Sequence, residues 1–188
     1  FNQFGKLIKS KQYVEGGGEQ AIATSYETSG LGIFNQPPKC YLHRQGSFVV
    51  SFFPDNKTPR IDYDVFLMPP IDERFGTPLL VAGDGIAAFR NTPETKAFMQ
   101  YLASPIPHQE WAKLGGFISA SQQLLPEDYT DPVAQSIAQL LNDADVVRFD
   151  GSDAMPSYIG SELFWTGIVN FAEGQSAEEV TETIESNW

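Results

Sequence analysis

The chain has 188 residues, with 12 basic and 24 acidic side chains for a net charge of −12; 41% of its residues are apolar and 13% aromatic. That length carries one sizeable core or two small lobes, and so many rings exclude a solvated tail. Basic residues scattered among twice as many acids exclude a nucleic-acid partner and disfavour docking on an anionic membrane surface.

In chain order, FGKLIKS near the start is a short amphipathic piece, and Gly16, Gly17 and Gly18 read as a plain flexible turn. The run KCYLHRQGSFVVSFF at 39–53 is rich in β-branched and aromatic residues, which predicts a strand over its second half. IDYDVFLM at 61–68 alternates apolar residues with Asp62 and Asp64, the period of a strand with one buried face, and Pro69 and Pro70 end it. PLLVAGDGIAAF at 78–89 predicts a buried strand that opens at Asp84 between two glycines.

Helices follow. Thr92, Pro93 and Glu94 form an N-terminal signature, because Pro suits the first helical position and Glu complements the dipole. The pairs Ala97 with Tyr101 and Phe98 with Leu102 then fall on its inner side. A second helix is expected over 107–114, stopped by Gly115 and Gly116, and Asp131 with Pro132 starts a third whose stripe is Val133, Ile137, Leu140 and Leu141. A longer helix is expected over 158–173, ending at Gly174. Ser176 and Glu179 make a capping box for the last, with Val180 and Ile184 inward. Strands followed by helices without regular alternation predict a mixed α/β chain of one or two lobes.

Common catalytic signatures are absent. His43 and His108 lie 65 residues apart in sequence, and neither belongs to a helical metal-binding pattern. Cys40 is the sole cysteine, which leaves no intrachain disulfide and no four-thiolate zinc site; it reads as a buried, inert thiol. Three acid pairs, Asp62 with Asp64, Asp143 with Asp145 and Asp150 with Asp153, lack the spacing of a calcium loop and read as solvated acids. No metal or cofactor is expected. The aromatics are more telling, because sugars stack their C–H faces on flat rings. Phe48 after HRQG, Phe117 after a glycine pair and Trp165 within SELFWTG all sit beside turns or polar breaks. For Trp165 the competing reading is a core residue, since Phe164 and Ile168 on the same helix also demand burial.

The order of FGKLI, PPKCYLHRQGSF, YDVFLMPPID, GTPLLVAGDGIAAF, TPETKAFMQYLASP, WAKLGGFIS, RFDGSDAMP, SELFWTG and AEGQSAEEVTETIESNW resembles the C-terminal half of a carbohydrate-type extracellular solute-binding protein, the receptor component of an ABC importer. It is closest in flavour to receptors for α-glucosides and related osmolytes. The resemblance implies a periplasmic-binding-protein-like α/β fold of two lobes with hinge crossings, of which only the C-terminal half is present. It places 1–67 and 114–188 in lobe two and 68–113 in lobe one, with YDVFLMP as one crossing and the stretch near WAKLGGF as the return. It implies that Trp165, Phe48 and Asp84 contact ligand in the interlobe cleft, with Gln45, Phe117 and Asp153 as weaker transfers.

One departure is that Phe48 stands where the family usually has a tryptophan, which shrinks the stacking platform. Another is the missing N-terminal half; its absence predicts exposure of the apolar side of PLLVAGDGIAAF. A chain opening FNQFGKLIKSKQ is expected to be a processed product or a fragment. The implied partners are a small carbohydrate, the permease subunits and the missing half of the receptor; the implied location is the periplasm or the cell surface as a lipoprotein. The expectation is therefore a binding protein and not an enzyme. The alternative is a piece of a glycoside hydrolase using a carboxylate pair such as Asp84 and Asp153.

Overall fold

A computed structural model describes residues 1–188, which divide into two compact units, one built from 1–44 with 149–188 and the other from 45–148. The architecture is mixed helical with one small sheet, consistent with part of a binding-protein fold.

The first unit holds α1 (Asn2–Ile8), α2 (Gly17–Ala23), a π-helical stretch (Tyr158–Phe164), α6 (Trp165–Glu173) and α7 (Ala177–Glu185). Its core is Ile159, Phe171, Ala172 and Val180. Phe1 meets Phe171 edge-on at 5.2 Å, Phe4 stacks on the same ring at 6.4 Å and Lys9 Nζ lies 3.8 Å above it, so the first helix is pinned by aromatic and cation–π contacts. The glycine run is not the plain turn expected from the sequence. Gly16 and Gly17 take the left-handed conformation, with φ of 69° and 75°, and reverse the chain into α2. Gly18 is buried where the Ala172 carbonyl occupies the space a Cβ would need. The run therefore lets α2 approach α6 more closely than any side chain permits.

The second unit carries β1 (Leu79–Val81), α3 (Pro93–Leu102), α4 (Pro105–Leu114), α5 (Pro132–Asn142) and the first two residues of β2 (Val147–Phe149). Ala112, Leu124, Tyr129, Ala134 and Ala138 form its core, with Ile118 packed against them. The cap signals work as the sequence predicts: Thr92 accepts from the Thr95 N–H at 3.2 Å and Asp131 from the Val133 N–H at 2.9 Å. In the first unit Ser176 and Glu179 close the capping box of α7. α4 starts two residues earlier than expected, because Pro105 already suits the first helical position.

The strand expectations fare worse. Residues 47–52 form a 3₁₀ helix, closed by a Phe53 N–H bond to the Val50 carbonyl at 3.2 Å. A β-branched run fits a pleated surface only where a neighbouring strand supplies the ladder, and none is available to it here. Residues 61–68 are irregular. The Asp62 carboxylate takes the Thr58 N–H at 2.7 Å and Asp64 the Val65 N–H at 2.8 Å, so the two acids bond locally rather than lining a strand face. The strand expected over 78–89 contracts to β1, which pairs with β2 through the Leu79 N–H and the Val146 carbonyl at 2.9 Å. It is not buried, and neither is the apolar side of α3, where Phe98 and Tyr101 are exposed. The expected helix over 158–173 is half π-helical before α6 takes over, ending at Gly174.

Candidate functional site

Each unit presents its own group of the expected residues. In the second unit Gln45 and Phe48 flank the start of the 3₁₀ helix. Gln45 Oε1 accepts the Gly46 N–H at 2.9 Å, which tightens the chain just before the ring. The Phe48 ring lies back over Gly46, so close that a Cβ there would meet its Cε1 at 2.7 Å. Phe48 also meets Phe52 edge-on at 6.5 Å. The same helix reaches the glycine pair: a Cβ on Gly116 would stand 2.6 Å from Ser51 Oγ. The structure thus brings the Gln45–Phe52 segment and the turn leading into Phe117 together.

Phe117 is not a bare platform. Trp111, one turn before the end of α4, stacks on it in parallel at 4.6 Å and 8°, and remains 51% exposed. Sequence reasoning passed over Trp111. The signal was present in WAKLGGF, because a helix stopped by two glycines with positive φ turns the chain back across its own last turn. Beneath this pair lies a polar network. His108 Nε2 donates to the Leu102 carbonyl at 2.8 Å, since a carbonyl only accepts, and Nδ1 then accepts from the Ser119 hydroxyl at 2.8 Å. Ser119 Oγ also accepts the Ser121 N–H, and the Ser119 N–H donates to the Tyr129 hydroxyl, both at 2.9 Å. Ser119 is 5% exposed, so these bonds hold the GGFIS segment rigidly under the aromatic pair.

Asp84 is solvent-exposed in the loop after β1, between glycines with no neighbours within 4 Å of a built Cβ. The structure does not bring it against Phe48 or Phe117 through any bond or ring contact. An open groove of about 580 Å³, bordered by Phe89, Arg90, Thr95, Lys96 and Met99, contains none of the six expected residues.

In the first unit Trp165 is the first residue of α6, directly after the π-helical stretch, and is 66% exposed. The core reading of Trp165 is therefore wrong for this chain, and Phe171 fills the core in its place. Asp153 lies in the exposed turn over 151–155. The Ser152 carbonyl of that turn sits against Gly160 where a Cβ would be, so the acid's turn is seated on the π-helical stretch leading to Trp165. Asp150 accepts from the Ser152 N–H at 2.9 Å and its hydroxyl at 2.7 Å; these bonds, the hydroxyl one foremost, hold its carboxyl below the ordinary range. Cys40 is half-buried, and burial, then Glu15, pushes its thiol up, away from reactivity. No three His, Cys, Asp or Glu converge to hold a metal, and no helix is long and apolar enough to cross a membrane.

No known family model and no solved structure matches the chain. Two curated proteins do. It is 42% identical over 185 residues to the osmoprotective compounds-binding protein GgtB of Synechocystis, covering 98% of this chain and 44% of that protein. It is 37% identical over 188 residues to the alpha-glucosides-binding periplasmic protein AglE of Rhizobium meliloti, covering 99% of this chain and 41% of that protein. The chain thus spans less than half the length of the curated relatives it matches. Identity of this order along nearly every residue makes it a homologue of these solute-binding proteins and bears out its resemblance to the C-terminal half of such a receptor.

Proposed function

We propose that the chain is part of the substrate-binding component of an ABC importer, one that captures a small glucoside or oligosaccharide in the interlobe cleft of the whole receptor and delivers it to the permease. The observation that carries this reading is the pair of relatives, whose names specify osmoprotective compounds and alpha-glucosides, matched over 98% and 99% of the chain. The exposed rings of Trp165 and Trp111, and Phe48 held over Gly46, are the chemistry such ligands need. Residues 68–113 are assigned to lobe one and the flanks to lobe two. Closure follows because a ligand held by both lobes favours the arrangement in which both touch it. The receptor works in the periplasm or at the cell surface as a lipoprotein.

Turnover is not expected. A glycosidase general acid needs a desolvated carboxyl, and both Asp84 and Asp153 are exposed. The test is titration of the full-length receptor with sucrose, trehalose and other glucosides, followed by tryptophan fluorescence and calorimetry. Saturable binding without product release is expected. Binding of amino acids or peptides in place of glucosides overturns the reading.

A further inference from the structure

Two core residues of the first unit fix the course of the helix that carries Trp165. Ile159 and Phe171 are both buried and stand twelve positions apart. An α-helix turns about 100° per residue, which would set them about 120° apart, on different faces. A π turn takes in one further residue, so the stretch Tyr158–Phe164 returns both side chains to within about 20° of one face. The same register decides what lies beside the indole. Gly160 and Trp165 are five positions apart, the span of a π-helical bond, so they stand about one turn apart on one side of the helix. In an α register they would diverge by about 140°.

At Gly160 that side is occupied by the turn over 151–155. The Ser152 carbonyl takes the space of a Cβ on Gly160, and the Met155 Cβ lies 3.3 Å from the same point. Gly160 has no positive φ, so the glycine answers to the close approach of the turn and not to its own backbone angles. The turn is itself held by an acid. Asp150 Oδ1 accepts the Ser152 N–H at 2.9 Å and its hydroxyl at 2.7 Å. The Ala154 and Met155 N–H groups then close on the Gly151 and Ser152 carbonyls, each at 3.2 Å. The Ile159 and Gly160 N–H groups reach the Pro156 carbonyl at 2.8 and 3.0 Å, so hydrogen bonds lead from Asp150 to the first residues of the π-helical stretch.

We propose that Asp150 is a positioning residue for Trp165: by fixing the Ser152 carbonyl against Gly160 it holds the π register, and with it the indole on the side of the turn that bears Asp153. This rests on the proposed function and deepens it by naming what orients the ring offered to the sugar. Asp150 acts through Ser152 and Gly160, without touching the ligand.

The experiment uses the full-length receptor carrying fluorotryptophan, in which the fluorine resonance of Trp165 is identified by its absence from Trp165→Phe. Without ligand, Asp150→Ala should shift or broaden that resonance and leave those of the other tryptophans in place. It should also weaken binding of trehalose or sucrose about tenfold by calorimetry, because a contact group loses its value once its supporting shell is loosened. Asp150→Asn keeps an oxygen acceptor for both Ser152 donors and should restore the resonance and the affinity. Ser152→Ala, which removes only the hydroxyl bond, should fall between the two, and it decides the matter where Asp150→Ala does not fold. An unmoved Trp165 resonance overturns the proposal: with weakened binding it would make Asp150 a direct contact to the sugar, and with intact binding a bystander. Failure of Asp150→Asn to rescue overturns it as well. The resonance is read without sugar, so a receptor that binds no glucoside refutes the proposed function while this inference still stands or falls on the ring's own signal.

Discussion

Trp165 is the residue on which sequence and structure make the sharpest joint statement. A tryptophan between Phe164 and a Gly-containing helical turn invites burial, but the π-helical stretch before it changes the angular register, so Phe171 enters the core and the indole is left outside. An exposed ring contributes little to folding. Trp165→Ala should therefore move the melting midpoint of the full-length receptor only slightly, by the equivalent of about 0.5 kcal/mol. It should weaken glucoside binding tenfold or more, as read by calorimetry. Equal loss of stability and affinity would return the residue to the core. Phe48 obeys a different constraint, since its ring is placed by the absence of a side chain on Gly46. The glycine was legible in the sequence, but the fold-back it permits was not, because a G-x-F spacing is compatible with strand and with turn alike.

At the scale of elements, the segment from α4 to α5 depends on a buried hydroxyl as well as on its apolar residues. Ser119, itself buried, serves His108 and the Ser121 N–H at once. Ser119→Ala should cost about 1–3 kcal/mol, the penalty of stranding buried polar partners. A fall in the urea midpoint with an unchanged slope would show it. A neutral result would mean that water replaces the hydroxyl. Helix starts were legible because caps are local: Thr92, Asp131 and Ser176 each bond an N–H two or three residues on. The stretches at 47–53, 61–68 and 78–89 were legible only as apolar runs. Whether such a run becomes a strand depends on a neighbour that offers a ladder, and the sequence of the run does not contain that neighbour.

For the whole molecule, net charge and exposed rings oppose one another. Twelve excess negative charges keep apart surfaces that carry exposed residues such as Phe89 and Trp188. As pH falls toward the isoelectric point of about 4.4, that repulsion disappears. Light scattering should show a sharp solubility minimum near that pH. A chain equally soluble at pH 4.4 and pH 7 would argue that its apolar surface is already covered by its own folding.

The sequence by itself determined the capped helix starts at Thr92, Asp131 and Ser176 and the kinship with solute-binding receptors, since caps and the order of motifs are properties of the chain read along its length. Only the tertiary structure decided which rings face solvent, that Trp111 stacks on Phe117, that a glycine run brings two helices together, and that most of the expected strands lack partners. Exposure, stacking and strand pairing each depend on a second segment distant in sequence, and a local pattern carries no information about what that segment will be.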